Sequence, residues 1–146
     1  MSVDENKALL RRLYDEVFVG WNLDVVDELV GSEFVGHEMP PGTPRGPVGF
    51  KEFYGWLRSA FPDLRYTVDD VIAEGDRVVV RWTWRCTHKG EFMGIAPTGK
   101  QAMVTGMAIY RVAGGKCVER WVELGLLSLL QQLGAAPNPG GGLTSR

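Results

Sequence analysis

Residues 77–88 read RVVVRWTWRCTH, and their alternation decides the fold. Val78, Val80, Trp82, Trp84, Cys86 and His88 fall on one side of an extended chain, while Arg77, Arg81, Thr83 and Arg85 fall on the other. That period of two is the mark of a strand with one face on a core and one in water, so the even positions face inward. The neighbouring runs have the same character. Leu64 to Ile72, Lys100 to Val112 and Lys116 to Leu124 are β-rich and are separated by AEGD, KGEFMGIAPTG and AGG, which suits an antiparallel meander. In the third run Ala102, Val104, Gly106 and Ala108 share one side, and Met103, Thr105, Met107 and Ile109 share the other. A one-residue bulge at the AGG turn would keep even positions inward on the last two strands and set these small residues across a cavity from the tryptophans. Without the bulge, the faces of the third strand swap.

Upstream of the strands the period changes to that of helices. Leu9, Leu10, Leu13, Tyr14, Val17, Phe18 and Trp21 form an i, i+3, i+4 stripe, and Ser2 with Glu5 has capping-box spacing ahead of it. A shorter helix is predicted over Asp24 to Val30, stopping at Gly31, and a third starts at Pro47, carries Phe50, Phe53, Tyr54, Leu57 and Phe61 on one face, and ends at Pro62. Between them EFVGHEMPPGTPRGP, residues 33–47, reads as an ordered loop without regular structure, and loops of that length are often functional. A last short helix spans Leu126 to Leu133. Three N-terminal helices on a curved, four-stranded antiparallel sheet make an α+β fold in which helices cover one sheet face and the whole forms a cone. Residues 1–134 are expected to form a single domain, and the glycine- and proline-rich tail 135–146 to be disordered.

Composition narrows the function. The 146 residues are 45% apolar and 23% charged with a net charge of −2, an ordinary globular balance for one domain. There is no lysine or arginine run to attract nucleic acid or an anionic membrane, and no apolar run of membrane-spanning length. The first residues, MSVDENK, are polar and acidic, unlike a secretory leader, so a cytoplasmic location is expected. Cys86 and Cys117 have neither zinc-site nor redox-motif spacing and are expected to be buried thiols. With only two histidines and no HxxxH-like spacing, no metal site is expected.

Four polar residues stand out. In CVERWVELG, residues 117–125, Val118, Val122 and Leu124 alternate with Glu119, Trp121 and Glu123, and Arg120 falls on the apolar side. A guanidinium there needs a salt-bridge partner or a ligand carbonyl, enolate or carboxylate to hold. Asp70 shares a strand face with Tyr66, Val68 and Ile72, either as a base or as the partner of Arg120. His37 sits at the entrance of the proline-rich loop and His88 at the inward end of the second strand; each suits proton exchange or a loop-stabilising hydrogen bond. Glu119, Trp121 and Glu123 face outward by parity, and Glu123 becomes a base only if the register is off by one. Tyr14, Trp82, Trp84, Phe92 and Met93 are expected to line a pocket for a flat, mostly apolar polycyclic ligand. No GxSxG occurs, and both cysteines are expected to be buried inside strands, so nucleophilic catalysis finds no support.

Several phrases occur together: Thr87-His88 followed by GEFMGIAPTGK, AFPDL at 60–64, AEGDRV at 73–78, and RVAGGKCVERW leading into LLSLLQQLG. As a set they resemble the SnoaL-like polyketide cyclase family over about residues 5–134. The resemblance implies a cone-shaped α+β barrel of the nuclear-transport-factor-2-like (NTF2-like) kind, a homodimer through the outer sheet face, and a small-molecule pocket without metal or organic cofactor. It also adds Phe53 to the pocket-lining set. In the family's cyclases a carboxylate on the last strand, helped by a histidine on the preceding one, closes a ring by an intramolecular aldol step. The corresponding positions here are Val122 and Ala108, and a second acidic position common in relatives is Gly125. A valine transfers no protons, so the resemblance carries the fold and not that acid/base pair. The expected function is a cofactor-independent enzyme of polyketide metabolism that cyclises, rearranges or hydrates a small hydrophobic substrate. Proton transfers would use His37, His88 or Asp70, and Arg120 would hold the developing negative charge. The alternatives are a small-molecule binding protein, or a related enzyme that opens epoxides or hydroxylates without a cofactor.

Overall fold

The N-terminal helix starts where its cap predicts. In the computed structural model, which describes residues 2–137, the Ser2 hydroxyl accepts the Glu5 N–H and the Glu5 carboxylate accepts the Ser2 N–H, each at 3.0 Å. Helix α1, Val3–Arg12, runs on into wider π-helical turns over Leu13–Val19, which bury Leu13, Tyr14, Val17 and Phe18. A 3-10 turn, Leu23–Val25, and the short α2, Val26–Leu29, occupy the region predicted as the second helix.

The next segment corrects the sequence reading. Val30–Gly36 is a strand, β1, lying parallel to the last strand of the chain, whereas its second half was read as part of an irregular loop. Its burial follows no clean alternation, and its partner is more than 80 residues away, as in Val30 opposite Cys117. Helix α3, Gly46–Ala60, then packs on β1. Their approach is so close that a Cβ on Gly46, whose φ is +80°, would stand 2.3 Å from the Ser32 carbonyl oxygen.

Strands β2 (Arg65–Glu74), β3 (Arg77–Thr87), β4 (Gln101–Ala113) and β5 (Lys116–Leu124) form the expected meander, and α4, Leu126–Gln132, returns over β4. The sheet order is β1-β5-β4-β3-β2. This overturns the expectation of a four-stranded antiparallel sheet in a cone-shaped barrel. The α+β protein has a mixed five-stranded sheet whose edge strands, β1 and β2, do not pair, so the sheet is open, with four α-helices among the described residues. Ala135 and Pro137, at the start of the tail, donate or accept hydrogen bonds with α4 residues Leu130 and Gln131, and residues 138–146 of the tail expected to be disordered lie outside the described residues.

Two bulges set which side chains face the helices. Cys117 pairs with Val112 but Glu119 with Arg111, so Val118 is the extra residue. The expected bulge therefore falls inside β5, not at the turn. It keeps Arg120 and Val122 on the inner side together with Ala108 and Tyr110 of β4. In β2, Val68 pairs with Trp82 but Asp70 with Arg81, so Asp69 is extra. From that point the parity of β2 reverses. Val71 and Ala73 become the half-buried positions, and Asp70 and Ile72 face solvent.

Candidate active site

Between the inner sheet face, α3 and the π-helical segment lies a cavity of about 660 Å³, large enough for a drug-sized ligand. Its sheet wall is aromatic. Trp82 and Trp84, two residues apart on β3 and so on one face, stack at 5.5 Å with their planes 14° apart, and Tyr66 meets each edge-on at 5.6 Å. Gly106 lies opposite Trp82 on β4, and the indole covers it. A Cβ at Gly106 would stand 2.3 Å from Trp82 Cη2 and 2.4 Å from Cζ3, closer than real atoms approach. Trp84 and Tyr66 leave the indole little room to move aside. Gly106→Ala is therefore expected to cost about 1–3 kcal/mol and to tilt Trp82 into the cavity. Urea unfolding followed by tryptophan fluorescence checks this; an unchanged midpoint would contradict the close packing.

All 4 tyrosines of the chain, Tyr14, Tyr54, Tyr66 and Tyr110, line the cavity. The Tyr14 and Tyr110 hydroxyls hydrogen-bond to each other at 2.9 Å. Burial pushes all these phenols above the ordinary tyrosine range, so at neutral pH they act as uncharged donors.

Arg120 stands behind this wall, 0% exposed. Its Nε donates to Glu38 Oε2 at 3.1 Å, Nη2 donates to the same oxygen, and Nη1 donates to the Tyr54 hydroxyl at 2.6 Å. The rings of Phe50 and Tyr54 each lie 5.3 Å from its guanidinium carbon. Burial acts to lower its pKa, but Tyr54 and Glu38 outweigh that and hold it well above the ordinary arginine range. Every guanidinium nitrogen is thus committed within the protein, and Arg120 is not on the cavity wall. Its effect on a ligand passes through Glu38 and Tyr54, which are. Glu38 Oε1 is buried and has no hydrogen-bond partner among the described residues. A buried carboxylate oxygen without a donor is costly unless something else occupies it, which leaves it an open acceptor on a cavity-lining residue.

The residues singled out from sequence divide sharply. Tyr14, Phe53, Trp82, Trp84, Phe92 and Met93 all lie on the cavity wall. His37, Asp70 and His88 do not. His37 is exposed on the outer face, where Nε2 pairs with Glu119 Oε2 at 2.7 Å and the ring stacks on Trp121. Asp70, turned outward by the Asp69 bulge, pairs with Arg81 at 2.7 Å instead of reaching Arg120. His88 is fully buried, and its Nδ1 accepts the Thr98 N–H at 3.2 Å, tying the end of β3 to the loop before β4. Val122 lies on the wall directly opposite Ala108, so hydrocarbon occupies both positions. Glu123 is exposed and reaches the cavity edge.

Sequence reasoning passed over Glu38. The signal for it was present: a buried arginine requires a carboxylate, and Glu38 is the acidic residue in the middle of the loop suspected of function. Among the described residues no three His, Cys, Asp or Glu side chains group to hold a metal ion. Burial raises the thiols of Cys86 and Cys117 to about 11 and about 12, far from nucleophilic at neutral pH. Nor, among the described residues, is any helix long and apolar enough to cross a membrane.

A family model described as SnoaL-like polyketide cyclase matches residues 8–133. The chain belongs to the SnoaL-like polyketide cyclase family. With it comes membership of the NTF2-like superfamily. Among solved structures, this SnoaL-like chain is similar to TsrD from Streptomyces laurentii, with 26% identity, a TM-score of 0.84 and coverage of 93% of this chain and 99% of that one. It is also similar to IdmH from Streptomyces antibioticus, a candidate polyketide cyclase, at 34% identity, TM-score 0.75 and coverage of 88% and 98%. AclR from Streptomyces galilaeus, a candidate hydroxylase, matches at 29% identity, TM-score 0.82 and coverage of 99% and 90%. Comparison with curated proteins gives no match. SnoaL-like membership is consistent with a cofactor-free transformation of a small molecule in polyketide biosynthesis.

Proposed function

We propose that the protein is a cofactor-independent enzyme that removes a proton α to a carbonyl in a flat, largely apolar polyketide-type substrate. One observation carries this reading: Glu38 on the cavity wall has Oε2 fixed by Arg120 and Oε1 without a partner. Oε1 takes the proton, and the C–H electron pair stays on the substrate as an enolate. Tyr54 accepts from Arg120 Nη1, so its own O–H is free to donate to the enolate oxygen. Attack of the enolate carbon on an internal carbonyl closes a ring, and the proton held by Glu38 passes to the new alkoxide. Return of the proton to a different carbon gives an isomer instead. Arg120 is the positioning residue for both groups.

Incubation with an enolisable aromatic polyketide in D₂O tests the proposal. Deuterium entering the α-carbon at an enzyme-dependent rate is the expected result by mass spectrometry. Tight binding with no label would favour a second reading, a small-molecule carrier, which the hydrocarbon pair Ala108 and Val122 supports. The exposed Met103, Met107 and Ile109 on the outer sheet face support pairing of two copies there. The two free, buried thiols suit a reducing cytoplasm.

A further inference from the structure

Two ion pairs sit back to back across the same step of the β1–β5 pairing. Gly36 is opposite Arg120, and just beyond it the His37 N–H donates to the Arg120 carbonyl at 2.9 Å. On the inner side, the next residue of each segment pair forms the Glu38–Arg120 contact. On the outer side, His37 pairs with Glu119. Residues 37 and 38 are thus fastened to residues 119 and 120 through both faces of the sheet at once.

We propose that His37 is a positioning residue that holds the Glu38 carboxylate in place from the far side of the sheet. This rests on the reading of Glu38 as the base. The loop leaving β1 has few other restraints near Glu38: the Met39 N–H reaches the Gly36 carbonyl at 3.1 Å, and the Thr43 N–H and hydroxyl reach only Pro40. The imidazole, in contrast, is braced by residues from three strands. Glu119 of β5 accepts from it, Trp121 of β5 stacks on it at 5.1 Å, Arg111 of β4 donates to the other Glu119 oxygen at 2.9 Å, and Arg77 of β3 covers Trp121 at 5.0 Å. The hydrogen bonds from His37 and Arg111 keep the Glu119 carboxyl below the ordinary glutamate range. Because the imidazole and the base belong to consecutive residues, a shift at His37 is passed to Glu38 by the backbone itself.

The test compares His37→Phe, which keeps an aromatic ring against Trp121 but donates nothing, with His37→Gln, which keeps an Nε donor. Two readouts are taken: amide hydrogen exchange at His37 and Met39 in the ligand-free protein, and kcat for the α-proton exchange. His37→Phe is expected to speed exchange at both amides and to lower kcat about tenfold with KM little changed, the signature of a misplaced base. His37→Gln is expected to restore both. Unchanged amide exchange in His37→Phe overturns the proposal, as does faster exchange with unaltered kcat. Failure of Glu38 as the base would appear separately, because amide exchange reports the restraint whether or not Glu38 performs the chemistry.

Discussion

Replacing Glu38 with glutamine is expected to reduce α-proton exchange by about 10²–10⁴-fold, the usual worth of a positioned general base. The amide oxygen can still accept from Arg120, so the substitution keeps the wall and its shape while removing the carboxylate from it. Tryptophan fluorescence quenching on ligand binding is therefore expected to stay near its wild-type value. Glu38→Asp separates charge from reach: the carboxylate is retained but drawn back by one methylene, and a loss of rate at constant binding would locate the defect in geometry. A glutamine variant that exchanges label at the wild-type rate would remove Glu38 from the chemistry.

Arg120→Met carries the largest expected effect on stability, a loss of about 3–5 kcal/mol in urea unfolding, because it strips the guanidinium from a carboxylate tucked into the protein. The value should fall toward the lower end of that range, since the Glu38 side chain is 16% exposed and its loop can turn it toward water. Methionine fills much of the arginine volume among Phe34, Phe50, Tyr54 and Tyr110, so the loss reports the stranded charge more than a void. The double variant Arg120→Met/Glu38→Gln decides between these causes. Most of the lost stability should return when the charge is removed, leaving the double variant far more stable than the sum of two independent changes would allow. If it is no more stable than Arg120→Met, packing around the guanidinium matters most and the ion pair is secondary.

Legibility in the sequence followed the range over which each signal acts. The two tryptophans of β3 and the buried position of Arg120 were readable because alternation is a property of adjacent residues. β1 was not, since a short parallel strand with glycine at 31 and 36 draws its identity from β5, far along the chain. Asp70 was assigned to the inner face because nothing local marks the Asp69 bulge, and one extra residue reverses the side of everything after it. The aromatic lining was legible as apolar bulk, but Tyr54, Tyr66 and Tyr110 look like ordinary core residues until their place on the cavity wall is seen. Glu38 sat in a loop with no periodicity, where only the unmet need of Arg120 pointed to it.

Val118 shows how much can hang on a residue that touches no ligand. It makes no ladder pair of its own and rests beside Gly31, where a methyl group would already come within 3.1 Å of its Cγ1. Yet its exclusion from the pairing determines that a guanidinium, and not Glu119 or Trp121, is sealed inside. Were Val118 drawn into the ladder opposite Arg111, every residue after it on the terminal strand would exchange interior for exterior, so the fold depends here on one residue staying out of step.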